Sequence, residues 1–140
     1  SNDLWRPTES AQVLVADASA LPALRHILAY QENHNPAMLR STDVMAVVTS
    51  EDEVEPGLAT RWETSVHSLR IIHTQPRQEA DAVVAALRAD YGRALEPGYV
   101  WASGEGELAK SVRGLAVNEW GLDTTDVTWV PYWFYGRARP

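Results

Sequence analysis

Residues 12–31 read QVLVADASALPALRHILAYQ, and their pattern is the clearest indication of the fold class. Its first six residues form a short apolar run that ends at Asp17, as expected for a buried β-strand. Ser19 then suits a helix N-cap, and the apolar residues after it recur at helical spacing. Pro22 falls in the first turn, where its missing N–H costs little. The stretch therefore predicts a strand, a turn and a helix that packs one face on a sheet.

Further apolar runs continue this alternation along the chain. Strands are predicted at residues 43–49, 69–73, 99–103 and 126–133, and helices are predicted to begin near residues 79 and 105, the second ending at Gly121. Pro131 cannot donate a ladder hydrogen bond, so the last strand is expected at a sheet edge or at a bend.

Alternating strands and helices are typical of one fold class. The sequence predicts an α/β fold, namely a three-layer Rossmann-like domain whose mostly parallel sheet has about five strands. Residues 1–140 are expected to form a single domain, with residues 1–10 as an irregular lead-in.

Composition and charge exclude several classes of function. The chain has 140 residues, a formal net charge of -7 and no Cys. An acidic surface is unsuited to nucleic acid, and no apolar run approaches the roughly 18 residues needed for membrane insertion. The lack of Cys is compatible with a reducing compartment, so a cytoplasmic location is expected. The four His lack ligand spacing and no nucleophile elbow occurs, so neither a metal site nor a catalytic residue is predicted.

The loops that follow the predicted strands are the candidate ligand sites. Ligands of parallel α/β sheets lie beyond the carboxyl ends of the strands, near the point where strand order reverses. The candidate cofactor-binding residues are Asp17, Ala18, Ser19 and Ala20 after the first strand, Thr49 and Ser50 after the second, and Ser103, Gly104 and Glu105 after the fourth.

Each loop has a binding interpretation and a structural one. The helix start at Ser19 can offer N–H groups to a phosphate, or Ser19 can simply cap the helix. The small residues Ser103 and Gly104 can let a ring or a ribose approach the backbone, or they can form a plain strand-to-helix turn. Thr49 and Ser50 can meet a ribose, with the acids after them disfavouring a phosphate on it, or this loop can be solvated surface.

Four short segments, in order along nearly the whole chain, resemble one protein family. Residues 16–23 read ADASALPA, similar to the GDETALPA that opens the nucleotide-binding domain of siderophore-interacting proteins. Residues 99–105 read YVWASGE, similar to that family's YVWAAGE. The EWGL of residues 119–122 and the YWFYG of residues 132–136 match the family's E-x-G-L and its G-Y-W-x-x-G ending. The chain thus resembles the carboxy-terminal, ferredoxin-reductase-like half of a siderophore-interacting protein.

The resemblance implies NAD(P)H as the cofactor of this domain and FAD as the cofactor of an amino-terminal barrel. Complete members of the family are NAD(P)H-dependent flavin reductases that pass electrons to a ferric siderophore, so that iron is released. The resemblance also implies that Trp133, with the two aromatic residues after it, faces the flavin edge. No barrel fits before Gln12, so FAD is expected on a separate flavin-binding domain or protein, and the isolated chain is not expected to be active alone.

Four departures from the family pattern bear on cofactor binding. Ala16 and Pro131 replace Gly, Ala18 replaces Glu, and Phe134 replaces Arg. The loss of Gly restricts how closely a ligand can approach the backbone, and the loss of Arg removes a cation. An alternative interpretation follows, in which the chain is a stand-alone, non-catalytic binding or interaction module whose aromatic terminus is a docking or homodimer surface.

Overall fold

The fold is a five-stranded parallel sheet with helices on both faces, in a computed structural model that describes residues 4–91 and 96–137. The strands are β1 (Gln12–Asp17), β2 (Thr42–Val48), β3 (Ser68–His73), β4 (Tyr99–Glu105) and β5 (Val127–Trp133). Their order across the sheet is β3-β2-β1-β4-β5, and every neighbouring pair is parallel. The predicted α/β fold is confirmed.

Helices and short helical turns connect the strands. In the described residues the α-helices are α1 (Leu21–His34), α2 (Leu58–Trp62), α3 (Glu79–Asp90) and α4 (Gly106–Gly114). Short 3-10 segments occupy Ala18–Ala20, Pro36–Ser41, Glu51–Glu53 and Thr124–Asp126, and a π-helical turn, Leu115–Glu119, continues α4. Across the described part of the chain, no helix is long and apolar enough to cross a bilayer.

The structure corrects the predicted cap of the first helical segment. Asp17 rather than Ser19 is the N-cap, because the Asp17 side chain accepts the Ser19 backbone N–H. A 3-10 turn then intervenes, and α1 begins only at Leu21. The last residue of β1 therefore has a structural role at the place where a ligand was expected.

The structure also corrects the helix predicted for residues 105–120. Glu105 belongs to β4, and its side chain caps α4 by accepting the backbone N–H groups of Glu107 and Leu108. The α-helix proper ends at Gly114, where the π-helical turn takes over.

The sheet separates two apolar cores. The core on the side of α1 and α2 includes Leu14, Leu24, Ile27, Trp62 and Trp101. The core on the side of α3 and α4 includes Val15, Val47, Val83, Leu108 and Val112. Every residue of β1 and β4 is buried, which explains why these strands read as near-continuous apolar runs. Packing on both faces gives the carboxyl ends of these strands a rigid base.

The edge strand β5 contains both features that Pro131 led us to expect, an edge position and a bend. Pro131 pairs with Gly104, and the next pair joins Glu105 to Trp133, so the register shifts and Tyr132 has no direct partner. A β-bulge of this kind bends the strand and redirects its side chains. Here the residue after the bulge is Trp133, at the carboxyl edge of the sheet.

Candidate functional site

A cleft of about 480 Å³ opens at the carboxyl ends of β1 and β2. It is lined by five of the residues that the sequence singled out, Asp17, Ala18, Ser19, Thr49 and Trp133. The other candidate residues, Ala20, Ser50, Ser103, Gly104 and Glu105, lie outside its lining. The cleft occupies the edge of the sheet at which parallel α/β proteins hold their ligands.

Asp17 ties the ends of β1, β4 and β5 together. Its Oδ1 accepts the backbone N–H and the hydroxyl of Ser19 at 3.0 and 2.6 Å, and its Oδ2 accepts the Glu105 backbone N–H at 2.8 Å and the Trp133 indole N–H at 3.1 Å. Burial raises the pKa of Asp17 above its ordinary value, and these four hydrogen bonds oppose that rise. Because both oxygens already have two donors, the carboxylate forms a fixed wall of the cleft.

The β4 side of this wall is built around Gly104. Its φ is 135°, and a Cβ added there would overlap the Asp17 carboxyl group. An L-residue rarely adopts such a φ, so glycine serves the close approach of two strand ends within the chain. The neighbouring Ser103 is buried, and its hydroxyl donates to the Val130 carbonyl at 2.9 Å.

The loop after β2 is held by Glu53. The Glu53 Oε1 accepts the backbone N–H of Thr49 at 2.7 Å, the Thr49 hydroxyl at 3.2 Å and the Ser50 N–H at 3.2 Å. Ser50 in turn accepts the Asp52 N–H, which completes a capping box. The Thr49 hydroxyl donates to Glu53 and keeps its acceptor capacity, whereas Ser50 is exposed outside the cleft lining.

A second buried carboxylate, Glu79 at the start of α3, also lines the cleft. The Tyr135 hydroxyl donates to Glu79 Oε2 at 2.5 Å, while Glu79 Oε1 has no hydrogen-bond partner. Burial raises the pKa of the Tyr135 phenol above its ordinary 10.0, and the bond to Glu79 raises it further. The Tyr135 ring meets Trp133 edge to face, with 4.6 Å between the ring centroids.

The charge of the cleft is negative. Asp17, Glu53 and Glu79 all line it, and none of the described residues in its lining is Lys, Arg or His. Carboxylates repel phosphate and accept N–H and O–H donors, so the interior suits a neutral donor group. The Arg77 guanidinium lies over the Tyr135 ring, 4.8 Å from its centroid, and places a positive charge beside the cleft.

Sequence reasoning missed Glu79 and Tyr135 as cleft residues. Glu79 reads as an ordinary acid in the first turn of a helix, where the helix dipole favours it. Tyr135 reads only as part of an aromatic terminus. The signal that identifies Glu79 is the carboxyl-end rule itself, because α3 follows β3 and its first turn therefore starts from the same edge of the sheet.

A separate cavity of about 280 Å³ lies toward the amino ends of β2 and β3. Its polar members are hydrogen-bonded to one another, since Asp43 Oδ1 accepts the Ser68 hydroxyl at 2.5 Å and lies 2.7 Å from His67 Nδ1. The Ser68 hydroxyl donates to a carboxylate rather than to an imidazole, so the cluster is not a nucleophile with its base. The cleft at the carboxyl edge is the candidate site.

Comparison with known proteins agrees with this placement of the chain among α/β folds. The family model described as siderophore-interacting protein matches residues 9–136. No curated protein is similar enough to count as a match. The solved siderophore-interacting protein from Acinetobacter baumannii is 21% identical with a TM-score of 0.68, over 94% of this chain and 48% of that one. SipS, the siderophore-interacting protein from Aeromonas hydrophila, is 22% identical with a TM-score of 0.67, over 94% and 49%.

A more distant structural neighbour is the flavohemoglobin from Malassezia yamatoensis with bound FAD and heme, at 15% identity and a TM-score of 0.58, over 95% of this chain and 33% of that one. The chain spans about half the length of the two solved siderophore-interacting proteins. These likenesses confirm the ferredoxin-reductase-like fold. Because the family model covers nearly the whole chain, the protein belongs to the siderophore-interacting protein family.

Proposed function

We propose that this chain is the NAD(P)H-binding domain of a siderophore-interacting oxidoreductase, which passes electrons through FAD to a ferric siderophore and so releases iron. The observation that carries the proposal is the cleft at the carboxyl ends of β1 and β2, lined by Asp17, Ser19, Thr49 and Trp133, in a chain of this family. Nucleotides of parallel α/β domains bind at this edge of the sheet.

The chemistry of hydride and electron transfer resides in the cofactors, and the protein supplies position and electrostatics. The fixed carboxylate of Asp17 gives the cleft a rigid wall, and Trp133 and Tyr135 make part of its lining aromatic. The acidic residues after Thr49, namely Glu51, Asp52 and Glu53, disfavour a 2′-phosphate on a nearby adenosine ribose, so NADH is the favoured nucleotide.

FAD belongs to a separate flavin-binding domain or protein in this proposal. Two facts support it: the chain spans about half of each solved siderophore-interacting protein, and the flavohemoglobin with the similar fold has FAD bound. The electron-transfer step is tested by mixing the chain with NADH, the FAD-loaded flavin domain of a family member and a ferric siderophore. Ferrous iron, detected by a chelator that traps it, should form only when the chain, NADH, the flavin domain and the ferric siderophore are all present.

Titration of the chain with NADH and NADPH tests nucleotide binding directly. Trp fluorescence reports it because Trp133 lines the cleft, and calorimetry guards against optical artefacts. We expect saturable binding, tighter for NADH. Ala18→Leu fills part of the cleft and should weaken binding by about tenfold. The same change on the exposed side of α3, Ala85→Leu, should leave binding unchanged.

The alternative, a stand-alone interaction module, is favoured by Phe134. Its half-buried ring packs so closely on Gly106 that a Cβ at Gly106 would overlap it, and it places an apolar side chain where the family pattern has Arg. The same titration decides between the two functions. If neither nucleotide produces heat or quenching, the proposal is refuted in favour of the module.

A further inference from the structure

Glu79 is a buried carboxylate of the cleft, and the fold supplies a hydrogen-bond donor to one of its two oxygens but not to the other. Among the described residues, the buried side-chain oxygens without a hydrogen-bond partner are Gln31 Oε1, in α1, and Glu79 Oε1, and Glu79 is the one that lines the cleft. The other two carboxylates of the cleft differ from it. Asp17 accepts four hydrogen bonds, and Glu53 is exposed to water and accepts three on one oxygen.

An oxygen buried without a donor costs free energy, because it has lost water and gained nothing in return. Such a group at the wall of a cleft points to a donor that comes from outside the chain. The terminal torsion of a Glu side chain is broad, so the carboxylate can turn an oxygen toward the cleft.

The surroundings of Glu79 narrow the class of donor. Trp133 and Tyr135 pack edge to face, with 65° between their rings and Arg77 over the Tyr135 ring, so this part of the cleft lining is aromatic. The neighbouring carboxylates repel phosphate, so an anionic group does not fit here. A planar ring that carries a neutral N–H donor satisfies both conditions.

We infer that Glu79 is a specificity-determining residue that accepts a hydrogen bond from the carboxamide NH2 of the nicotinamide ring. The inference rests on the proposed function and deepens it, because it assigns the nicotinamide end of the nucleotide, rather than the adenine or the phosphates, to the cleft. Glu79 takes no part in the reaction and acts by selecting the carboxamide.

The test compares NADH with its acetylpyridine analogue, in which a methyl group replaces the carboxamide NH2. The wild-type chain should bind NADH about tenfold more tightly, the value of one hydrogen bond to a charged acceptor. Glu79→Gln presents an N–H2 group in place of one oxygen and should abolish the preference. Asp81→Asn removes the same charge from the exposed side of the same helical turn and should keep it.

A second variant separates recognition from packing. Tyr135→Phe removes the internal donor of Glu79 and leaves its carboxylate in place, so the preference for NADH should persist or increase. The wild-type comparison needs no variant, so the inference stays testable even if Glu79→Gln fails to fold.

Each possible result of these binding measurements either supports or overturns the inference. Equal wild-type affinity for NADH and the analogue overturns the inference and leaves the proposed function standing. Binding of neither dinucleotide refutes the proposed function and the inference with it. A preference that survives in folded Glu79→Gln, or that disappears in Tyr135→Phe, places the discrimination elsewhere and overturns the inference alone.

Discussion

The two buried carboxylates of the cleft, Asp17 and Glu79, are each 4% exposed, yet their hydrogen bonding is opposite. Asp17 accepts four hydrogen bonds and joins three strand ends, whereas Glu79 accepts one, from Tyr135, and keeps an oxygen without a partner. Burial alone therefore does not mark a ligand contact. What distinguishes Asp17 from Glu79 is whether the chain itself supplies hydrogen-bond donors to both buried oxygens of the carboxylate.

The largest loss of stability is expected at the close contact between Gly104 and Asp17. Gly104→Ala places a Cβ against the Asp17 carboxyl group on a backbone with φ 135°. Strain and overpacking together should lower the free energy of unfolding by about 4 kcal/mol, measured by urea denaturation.

Gly121→Ala is the matched control for that variant. Its φ is also positive, at 73°, but nothing lies within 4 Å of an added Cβ. Only the backbone term applies, so the loss should be about 1 kcal/mol. Equal losses in the two variants would show that the contact between Gly104 and Asp17 is not what holds this wall.

A direct comparison of the carboxylates comes next in size. Asp17→Asn keeps the shape of the side chain but turns an N–H2 group toward existing donors, so it should cost about 2 kcal/mol of unfolding free energy. Glu79→Gln exchanges an oxygen that has no donor to lose, so it should cost less than about 1 kcal/mol in the same denaturation experiment. Similar losses of unfolding free energy in the two variants would contradict the distinction between Asp17 as a structural residue and Glu79 as a ligand-binding residue.

A smaller effect is expected in how the stability contributed by Asp17 depends on pH. Burial raises the folded-state pKa of Asp17 above its ordinary 3.8, so the folded chain keeps this proton to higher pH than the unfolded chain. The stability that Asp17 contributes is therefore greatest below pH 3.8, decreases as pH rises through the raised folded-state pKa, and is constant above it.

The stability difference between wild type and Asp17→Asn, measured across this acidic range, should follow that curve. Groups whose pKa the fold lowers, such as Asp123, give the opposite slope but contribute equally to both proteins and cancel. A difference that grows with rising pH would contradict the assignment of burial as the dominant influence on Asp17.

The smallest expected effect is a change in the pKa of Tyr135, the hydrogen-bond partner of Glu79, and it is measured spectroscopically. Burial and the bond to Glu79 both raise the pKa of Tyr135, so Glu79→Gln should lower that pKa part of the way toward 10.0, while Asp81→Asn should not change it. Phenolate absorbance against pH measures the shift, and Tyr135→Phe identifies the transition among the five Tyr. Identical titrations of wild type and Glu79→Gln would mean that the pair is not formed in solution.

The fold was accessible from sequence wherever burial on both sides leaves a continuous pattern. β1 and β4 are buried along their whole length, and their apolar runs predict them. The helix α2 has five residues, too few for a helical period to be recognised, and it was missed.

The candidate site was accessible only in part. The carboxyl-end rule leads to Asp17 and Thr49 because it depends on strand position alone. The contacts that set the two walls apart join residues far apart in sequence: Trp133 donates to Asp17 across 116 residues, and Tyr135 donates to Glu79 across 56. No local pattern encodes such pairs. A ligand role for Ser103, Gly104 and Glu105 stays a prediction, now beside their observed roles in packing and capping.

The hydrogen bonds on Asp17 also set an order of events in folding. Two of its donors lie 88 and 116 residues away, so these bonds form only after β4 and β5 have joined β1. Contacts of such long sequence separation need large loops to close first, so we expect them to form after the transition state of folding. Losing them should accelerate unfolding and leave the refolding rate nearly unchanged. Asp17 therefore governs how long the cleft persists once it has formed, rather than how fast it forms.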